Sequence, residues 1–197
     1  MPRDGCGRAV NIVGLGRLVY CMECGQPLAG LPPIQCGQCG TMQWSDAKPC
    51  ASALVVSDSR LLLVQRAKEP WKSCWDVPGG FCDPGEHPVK TAIREVREET
   101  GLEIRVTGFL GIWLDDYNEP ERAPKRTMNA YYHAVPIGSI NLYRLSTELS
   151  GAQFFSTPAI PQAIAFPGHV PSAIRAWQRA AEARMLETPL FDLEEVV

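Results

Sequence analysis

The sequence predicts an α/β domain preceded by a small cysteine-rich module. Apolar runs typical of strands lie on both sides of one well-delimited amphipathic helix, and a second helix follows near the end of the chain. Upstream of them, two cysteine pairs have the same internal spacing. The 197 residues are 45% hydrophobic and 21% charged, enough for one packed domain and a small module. We therefore expect the module within residues 1–47 and the α/β domain within residues 48–197.

The cysteine-rich module is built on two Cys-x-x-Cys-Gly runs. Four thiolates in pairs of this spacing are the ligands expected of structural zinc, here Cys21, Cys24, Cys36 and Cys39. A segment of about 45 residues has little core of its own, so we expect the metal to stabilise it. Disulfide bonds, or iron in a rubredoxin-like site, are the alternatives.

The first elements of the α/β domain are a predicted hairpin and a glycine turn. The apolar runs Ala51–Ser57 and Arg60–Arg66 flank Asp58-Ser59, after an expected junction at Lys48-Pro49. Next, Trp75–Gly80 predicts a short strand that ends in a turn. Its paired glycines allow another part of the chain to approach the backbone closely.

The best-delimited element is a helix between His87-Pro88 and Gly101. Proline is tolerated in the first turn of a helix, and glycine favours a left-handed cap at its end. An apolar stripe for packing on a sheet is formed by Val89, Ile93, Val96 and Thr100. A separate arc carries Glu95, Glu98 and Glu99, whose like charges repel. Because Mg²⁺ prefers carboxylate oxygens, a hard cation would relieve this repulsion; the alternative is a solvated helix face.

The last part of the chain predicts three strands and a helix. The strands are Ile104–Leu114, Met128–Val135 and a short one at Gln153, and a mobile surface loop is expected at Asn118–Lys125. The helix is expected over Pro171–Glu187. Its core-facing stripe is predicted to contain Ile174, Trp177, Ala181 and Met185.

The run Gly80–Leu102 matches a longer motif without a miss. It reads G-x5-E-x7-R-E-U-x-E-E-x-G-U, where U is a bulky aliphatic residue, and this is the Nudix box. The chain therefore resembles a Nudix hydrolase, a family that cleaves diphosphate linkages with divalent metal. The resemblance implies an α/β/α sandwich with a mixed sheet between helices. The cysteine pairs resemble the zinc ribbon of the NADH-pyrophosphatase branch.

The same resemblance assigns roles to residues of the box. It implies that the Gly80 carbonyl binds Mg²⁺ or Mn²⁺ together with Glu95, Glu98 and Glu99, and that Glu86 and Arg94 orient these carboxylates. Water would attack phosphorus, with Glu98 as first choice of base and Glu99 essential for the metal. Family members also recruit a loop acid, for which the candidates are Glu148, Asp115, Asp116 and Glu119.

The substrate implied is a nucleoside diphosphate joined to another moiety, with ADP-ribose favoured. Trp113 or Tyr117 could stack on its base, or could simply pack. The tail Ile164–Pro167 resembles a stretch of ribbon-bearing, ADP-ribose-type relatives. The alternatives are cleavage of NAD(H), FAD, dinucleoside polyphosphates or NAD-capped RNA, and a weakly catalytic nucleotide sensor.

Composition narrows the partners and the compartment. A net charge of −3, without a basic stretch, argues against nucleic acid or an acidic membrane as partner, and no apolar run approaches a membrane span. Thiolate pairs fit a reducing compartment, so a cytoplasmic protein is expected, with a homodimer as a candidate assembly. The remaining cysteines have no paired spacing and are expected as free, buried or half-buried thiols: Cys6, Cys50, Cys74 and Cys82.

Overall fold

A computed structural model of the chain describes residues 20–30, 32–117, 125–142 and 144–183. Its first element is a two-stranded antiparallel sheet, β1 (Ile34–Gln35) and β2 (Met42–Gln43). The strands that follow are β3 (Lys48–Ser57), β4 (Arg60–Arg66), β5 (Trp75–Asp76), β6 (Gly79–Phe81), β7 (Ile104–Tyr117), β8 (Lys125–Pro136) and β9 (Leu149–Ser156). Helix α1 (Pro88–Thr100) lies between β6 and β7, and α2 (Val170–Glu182) follows β9.

Seven of these strands form one mixed sheet. Its order is β5-β4-β3-β8-β7, with β6 paired to β3 and β9 paired to β4. β3 and β8 run parallel and the other pairs are antiparallel. β3 changes partner along its length, because it pairs with β6 at Cys50–Ser52 and with β4 at Val56–Ser57. The predicted mixed sheet is confirmed.

The two helices cover opposite faces of this sheet. Val89, Ala92 and Val96 of α1 are buried in one cluster with alternate residues of β3 and β8, such as Ala53 and Ala130. The other cluster holds Ala173, Ile174 and Trp177 of α2 against the residues that point the opposite way, among them Leu54, Leu61, Leu63 and Tyr131. The period-two alternation of the strands therefore separates two cores, which gives the predicted sandwich.

The β3–β4 connection and the ends of α1 follow from local sequence. Asp58 and Ser59 both have positive φ, 49° and 59°, as a two-residue type I′ hairpin requires. His87 caps α1 because its Nδ1 accepts a hydrogen bond from the Val89 N–H at 3.2 Å. Gly101 ends the helix at φ 74°, where its N–H donates to the Arg97 carbonyl. All three boundaries agree with the sequence prediction.

Several predicted strand boundaries are too narrow. β3 already begins at Lys48, because Lys48 and Pro49 pair with Thr127 and Met128 of β8. β7 and β8 stay paired as far as Tyr117 and Lys125, because ladder hydrogen bonds continue past the apolar part of each strand. Lys125 is therefore a strand residue and not part of a loop, whereas the rest of the predicted loop, 118–124, lies outside the described residues.

The last helix is confirmed in its core-facing residues and wrong at one position. Ile174 and Trp177 are buried, but Ala181 is exposed because burial on α2 ends at Trp177, one turn earlier. The predicted continuation of the helix through 184–187, with Met185, lies outside the described residues. Neither helix of the described chain has the length and apolarity needed to cross a membrane.

The cysteines outside the paired motifs do not all behave as expected. Cys50 is buried and Cys82 half-buried, and both are free thiols. Cys74 is buried but disulfide-bonded, so the expectation of a free thiol is wrong there. A disulfide joins cysteines that folding brings together, which their spacing along the chain does not reveal. Cys6 lies outside the described residues.

Candidate active site and candidate metal centre

Arg94 organises the acidic face of α1. Its Nε and Nη2 atoms each donate to one carboxylate oxygen of Glu86, both at 2.9 Å. Its Nη1 donates to Glu95 at 2.9 Å and to Glu98 at 3.1 Å, and Nη2 also reaches the Phe81 carbonyl at 3.1 Å. The bidentate pair lowers the pKa of Glu86 to about 2. One guanidinium therefore aligns three carboxylates of the box.

Gly80 and Glu95 are in close contact. A Cβ atom built on Gly80 would collide with the carboxylate of Glu95, so a side chain there would displace this acid. Glu95 is half-buried, and burial raises its pKa while the adjacent Arg94 opposes the shift. Because the glycine has no side chain, its backbone lies directly beside the Glu95 oxygens.

Glu99 is the most deeply placed of the three helix glutamates. Burial and the negative charges of Asp76 and Glu95 raise its pKa to about 8, although the Gly79 N–H donates to its Oε2 at 3.3 Å. Asp76 is also buried, and it accepts from Arg66 Nη1 at 3.2 Å and from the Val77 N–H at 2.8 Å. Acids crowded in this way form an oxygen-rich donor set that fits a hard divalent cation.

These acids open into a cavity of about 370 Å³. Its other walls come from the α2 face of the sheet, where alternate residues of three strands point the same way: Cys50 and Ser52, then Thr127, Asn129 and Tyr131, then Asp115 and Tyr117. Phe166 and His169, from the segment before α2, complete it. The cavity has the size of a small-molecule site.

The predicted site residues divide between this cavity and its surroundings. Gly80, Arg94, Glu95, Glu99 and Tyr117 line it, as do the candidate bases Asp115, Asp116 and Glu148. Glu86 lies behind Arg94, and the Glu98 side chain is 54% exposed and held by Arg94. Trp113 is absent from the lining and packs edge-on against Tyr131, with ring centroids 5.5 Å apart. Glu119 lies outside the described residues.

Phe166 is the centre of an aromatic group on the side of the cavity away from α1. Its ring stacks on Tyr117 at 5.7 Å and 22°, and Arg66 lies 5.0 Å over its centroid. Phe166 adopts φ 47°, an uncommon backbone conformation for a bulky residue. The surrounding packing therefore fixes both the ring and the backbone beneath it.

A polar chain runs beside these rings. The Tyr131 hydroxyl and His169 Nδ1 are 2.6 Å apart, and His169 Nε2 lies 3.6 Å from Asp115 Oδ2. Burial lowers the pKa of His169 to about 4, so the imidazole is neutral near pH 7. Burial also raises the pKa of Asp115. Tyr131 and His169 are therefore hydrogen-bonded, whereas His169 and Asp115 are neighbours that do not form a charge pair at neutral pH.

Sequence reasoning did not single out several of the cavity residues. Two signals in the sequence could have found some of them. Asp76 is an acid shortly before the glycine turn, and Thr127 and Asn129 are polar residues two positions apart in an apolar strand. Phe166 lies in the Ile164–Pro167 stretch that the family resemblance marks, but Arg66 and His169 gave no signal, because only the packing of the segment before α2 against β4 and β7 brings them to the cavity.

The four paired cysteines form a compact cluster. All four sulfur atoms lie within 4.8 Å of one another, with Cys21 to Cys39 at 3.7 Å and Cys24 to Cys36 at 3.6 Å. An edge of a tetrahedral zinc–thiolate site measures ~3.8 Å, given Zn–S bonds of ~2.3 Å. All four are free thiols, so the disulfide alternative is wrong. Around the cluster, Gln43 Nε2 donates to the Cys21 sulfur at 3.5 Å.

The backbone of both cysteine knuckles repeats. The Gly25 N–H donates to the Cys21 carbonyl and the Gly40 N–H to the Cys36 carbonyl, each at 2.9 Å. Both glycines have positive φ, 71° and 77°, which glycine adopts without a steric penalty. The donor set and this repeated turn fit a closed, structural tetrahedral metal site.

Comparison with known proteins gives consistent similarities. The NUDIX domain model matches residues 47–174. The chain is 38% identical over 109 residues to an ADP-ribose pyrophosphatase of Methanocaldococcus jannaschii, covering 55% of this chain and 62% of that protein. It is 30% identical over 128 residues to the NAD-capped RNA hydrolase NudC of Vibrio parahaemolyticus, covering 65% of this chain and 46% of NudC. The chain thus spans less than two thirds of either relative.

Solved structures share the fold at lower identity. A NUDIX hydrolase from Nitrosomonas europaea superposes with a TM-score of 0.66 at 22% identity, over 88% of this chain and 96% of that one. An ADP-ribose pyrophosphatase from Streptococcus suis superposes with a TM-score of 0.56 at 20% identity, over 73% of this chain and 98% of that one.

Proposed function

Since the chain belongs to the NUDIX family, we propose that it hydrolyses the diphosphate linkage of a nucleoside diphosphate joined to another moiety, with ADP-ribose as preferred substrate. The observation that carries this proposal is the meeting of Gly80, Glu95 and Glu99 in a cavity of substrate size. The 38% identity to an ADP-ribose pyrophosphatase supports the choice of substrate.

We infer that Mg²⁺, or Mn²⁺ in its place, is held by the Gly80 carbonyl, Glu95 and Glu99, with Glu98 contributing from the cavity edge. A divalent cation supplies positive charge against the negative charge that builds up on the diphosphate oxygens during attack. Arg94 keeps the carboxylates aligned through its bonds to Glu86 and Glu95. Glu86 and Arg94 therefore support the site without touching the reacting atoms.

The base that activates water is a separate question. Glu98 is the helix candidate, but its carboxylate is more than half exposed and bonded to Arg94. Glu148 lines the cavity and is bonded to Lys68 at 3.0 Å. Replacing the acid that takes the proton should lower kcat by a large factor, and replacing the other should have a smaller effect. Comparing kcat of Glu98→Gln and Glu148→Gln therefore identifies the base.

A substrate panel scored for AMP release tests the activity. ADP-ribose turnover with Mg²⁺ as the preferred reaction supports the proposal. Preference for NADH, FAD or a dinucleoside polyphosphate would show that the substrate belongs to that class instead. Tight binding without turnover of any compound would show that the protein is a nucleotide sensor.

A second candidate is hydrolysis of an NAD-containing molecule, including an NAD-capped RNA end. The similarity to NudC together with the four-cysteine cluster favours it. The net charge of −3 speaks against RNA as the main substrate. Release of nicotinamide mononucleotide from NAD(H), faster than AMP release from ADP-ribose, would select this candidate.

We also propose that residues 1–47 hold a structural Zn²⁺ through Cys21, Cys24, Cys36 and Cys39, ahead of a catalytic domain over 48–197. Four filled positions leave such an ion no open site for chemistry. Metal analysis of the purified protein should find about one zinc per chain, and Cys36→Ser should lose it while Cys82→Ser retains it. Protein without zinc or iron would contradict the proposal. We also propose a cytoplasmic location, which a four-thiolate cluster supports and the Cys74 disulfide, a bond more common in oxidising compartments, opposes.

A further inference from the structure

Asn129 presents an unused acceptor in the cavity. It is 6% exposed, and its Nδ2 donates both to the Trp113 carbonyl at 3.2 Å and to Thr127 Oγ1 at 2.9 Å. A flipped amide would set Oδ1 against the Trp113 carbonyl oxygen, so the observed orientation is the favourable one. No donor among the described residues bonds to Oδ1. Oδ1 itself is not sealed from solvent but open to the cavity that Asn129 lines, where the donor of a ligand would take the place of water.

Asp115 presents a second acceptor on the same wall. Its Oδ1 accepts from the Asp116 N–H at 2.8 Å, whereas Oδ2 accepts no hydrogen bond within the described parts of the chain, with His169 Nε2 lying 3.6 Å away. Thr127 connects the two residues, since its hydroxyl accepts from Asn129 and donates to the Asp115 carbonyl at 3.2 Å. The two free oxygens therefore belong to one rigid, hydrogen-bonded patch.

The chemistry of this patch selects its ligand. Two acceptors without donors require a group that brings two donors, and the neighbouring Tyr117 and Phe166 offer an apolar surface beside them. A ribose has this character, because its adjacent hydroxyls donate in pairs and its ring carbons pack on aromatic faces. The phosphates themselves, which only accept hydrogen bonds at neutral pH, would be repelled by the carboxylate and are directed toward α1.

We propose that Asp115 and Asn129 bind the hydroxyl groups of a ribose of the substrate and so select ribonucleotide derivatives. This inference rests on the proposed hydrolase function. Asp115 and Asn129 lie on β7 and β8, whereas the glutamates of the reacting centre lie on α1. The pair is therefore a specificity site and not a part of the reacting centre.

The test compares ADP-ribose with two analogues: one lacks the 2′ and 3′ hydroxyls of the adenosine ribose, the other lacks the 2-hydroxyl of the terminal ribose. Wild-type protein should prefer ADP-ribose over one of them by about tenfold or more in kcat/KM, the size expected of a hydrogen bond to a charged group. The analogue that is discriminated against identifies which ribose is bound. Equal kcat/KM values for all three compounds would overturn the inference.

The variants distinguish recognition from structural damage. In Asp115→Asn and Asn129→Ala the preference should fall to less than about threefold, because the lost partner was the hydroxyl itself. If the two residues had only a structural role, the variants would lose activity on all compounds and the ratio of kcat/KM between ADP-ribose and the analogue would stay unchanged. That result would contradict the ribose site. Glu103→Gln is the control, since this acid is exposed and is not part of the cavity lining, and it should keep the wild-type ratio.

Binding of the two halves separates this inference from the proposed reaction. Calorimetry with AMP and with ribose 5-phosphate needs no turnover. One of the two should bind to wild-type protein at least about tenfold more tightly than to Asp115→Asn, even if no ADP-ribose hydrolysis is found. Loss of hydrolysis with this difference intact would reject only the proposed function, and equal affinities would reject the ribose site.

Discussion

At the scale of single residues, the carboxylates of the site differ in how many partners offset their negative charge. Arg94 is bonded to Glu86, Glu95 and Glu98, while Glu99 receives one backbone N–H and lies near the buried Asp76. The helix glutamates are therefore not equivalent, although their spacing makes them look alike in the sequence. Glu99 has the least compensation, so its replacement should be informative.

We expect Glu99→Gln to lower kcat by about 10²- to 10³-fold, as when an electrostatic partner is removed from a reacting centre. The fold should persist, because an amide oxygen can still accept from the Gly79 N–H and the repulsion with Asp76 disappears. Kinetics and a thermal melt measure the two effects, with the exposed Glu103→Gln as control. Wild-type turnover in Glu99→Gln would refute its role.

Gly80→Ala should weaken the response to Mg²⁺ more than it affects stability. The added methyl group would collide with the Glu95 carboxylate and push it away from the Gly80 backbone. We expect the Mg²⁺ concentration for half-maximal activity to rise by about tenfold or more, equivalent to a lost interaction of over ~1.4 kcal/mol. Gly151→Ala is the control, because its nearest neighbour would lie at an ordinary 3.6 Å. Identical metal titrations of the two variants would contradict this account.

At the scale of elements, α1 could be delimited from sequence and the outer wall of the cavity could not. His87, Pro88 and Gly101 are local signals for the helix ends, and the i, i+3, i+4 spacing of the glutamates needs no tertiary information. Trp113 and Tyr117 lie on the same side of β7 by alternation, yet only Tyr117 reaches the cavity. Which of the two side chains reaches the cavity depends on its position along β7. That position relative to the cavity is set by the pairing of β7 with β8 and by the segment before α2.

The β3–β4 turn allows a stabilising substitution. Ser59 has φ 59°, a conformation that costs an L-residue roughly 1 kcal/mol and glycine nothing. Asp-Gly is a preferred pair for a type I′ turn, so Ser59→Gly should raise the free energy of unfolding by up to about 1 kcal/mol. Chemical denaturation measures this difference, and a decrease in stability would show that the turn is held by the serine side chain.

At the scale of the whole molecule, the fold could be predicted because the hydrophobic alternation of the strands and the box agree on one architecture. Sequence reasoning found Tyr117 and Asp115 in the cavity beyond the box but missed Arg66, Asn129 and His169, which come from β4, β8 and the segment before α2. It also could not find the Cys74 disulfide. Both depend on contacts between distant parts of the chain, for which a single sequence carries no local pattern.

Two buried histidines make a contribution to stability that is lost in mild acid, whereas Glu99, whose pKa is raised to about 8, contributes with the opposite sign. Burial lowers the pKa values of His133 and His169 to about 4, from an ordinary value of 6.5. Between these values the unfolded chain binds protons that the folded chain does not. Their contribution is therefore intact above pH 6.5 and lost as the pH falls to 4, by up to about 3 kcal/mol each.

Denaturation curves at pH 7 and pH 5 measure this loss. His133→Gln removes one of the two groups away from the cavity, since His133 bonds to Thr107 in the β7–β8 ladder. The variant should lose less stability between the two pH values than wild type. An equal loss would mean that other groups govern the acid response.

The division of the cavity between two remote stretches of chain has a practical consequence. The acids of the box belong to 86–99, whereas the surface facing the rest of a bound molecule belongs largely to 115–117, 127–131 and 166–169. Exchanging only the latter for those of another protein with this architecture should therefore transfer its choice of compound while leaving the cleavage apparatus as it is. Such a chimera offers a modular route to new pyrophosphatases.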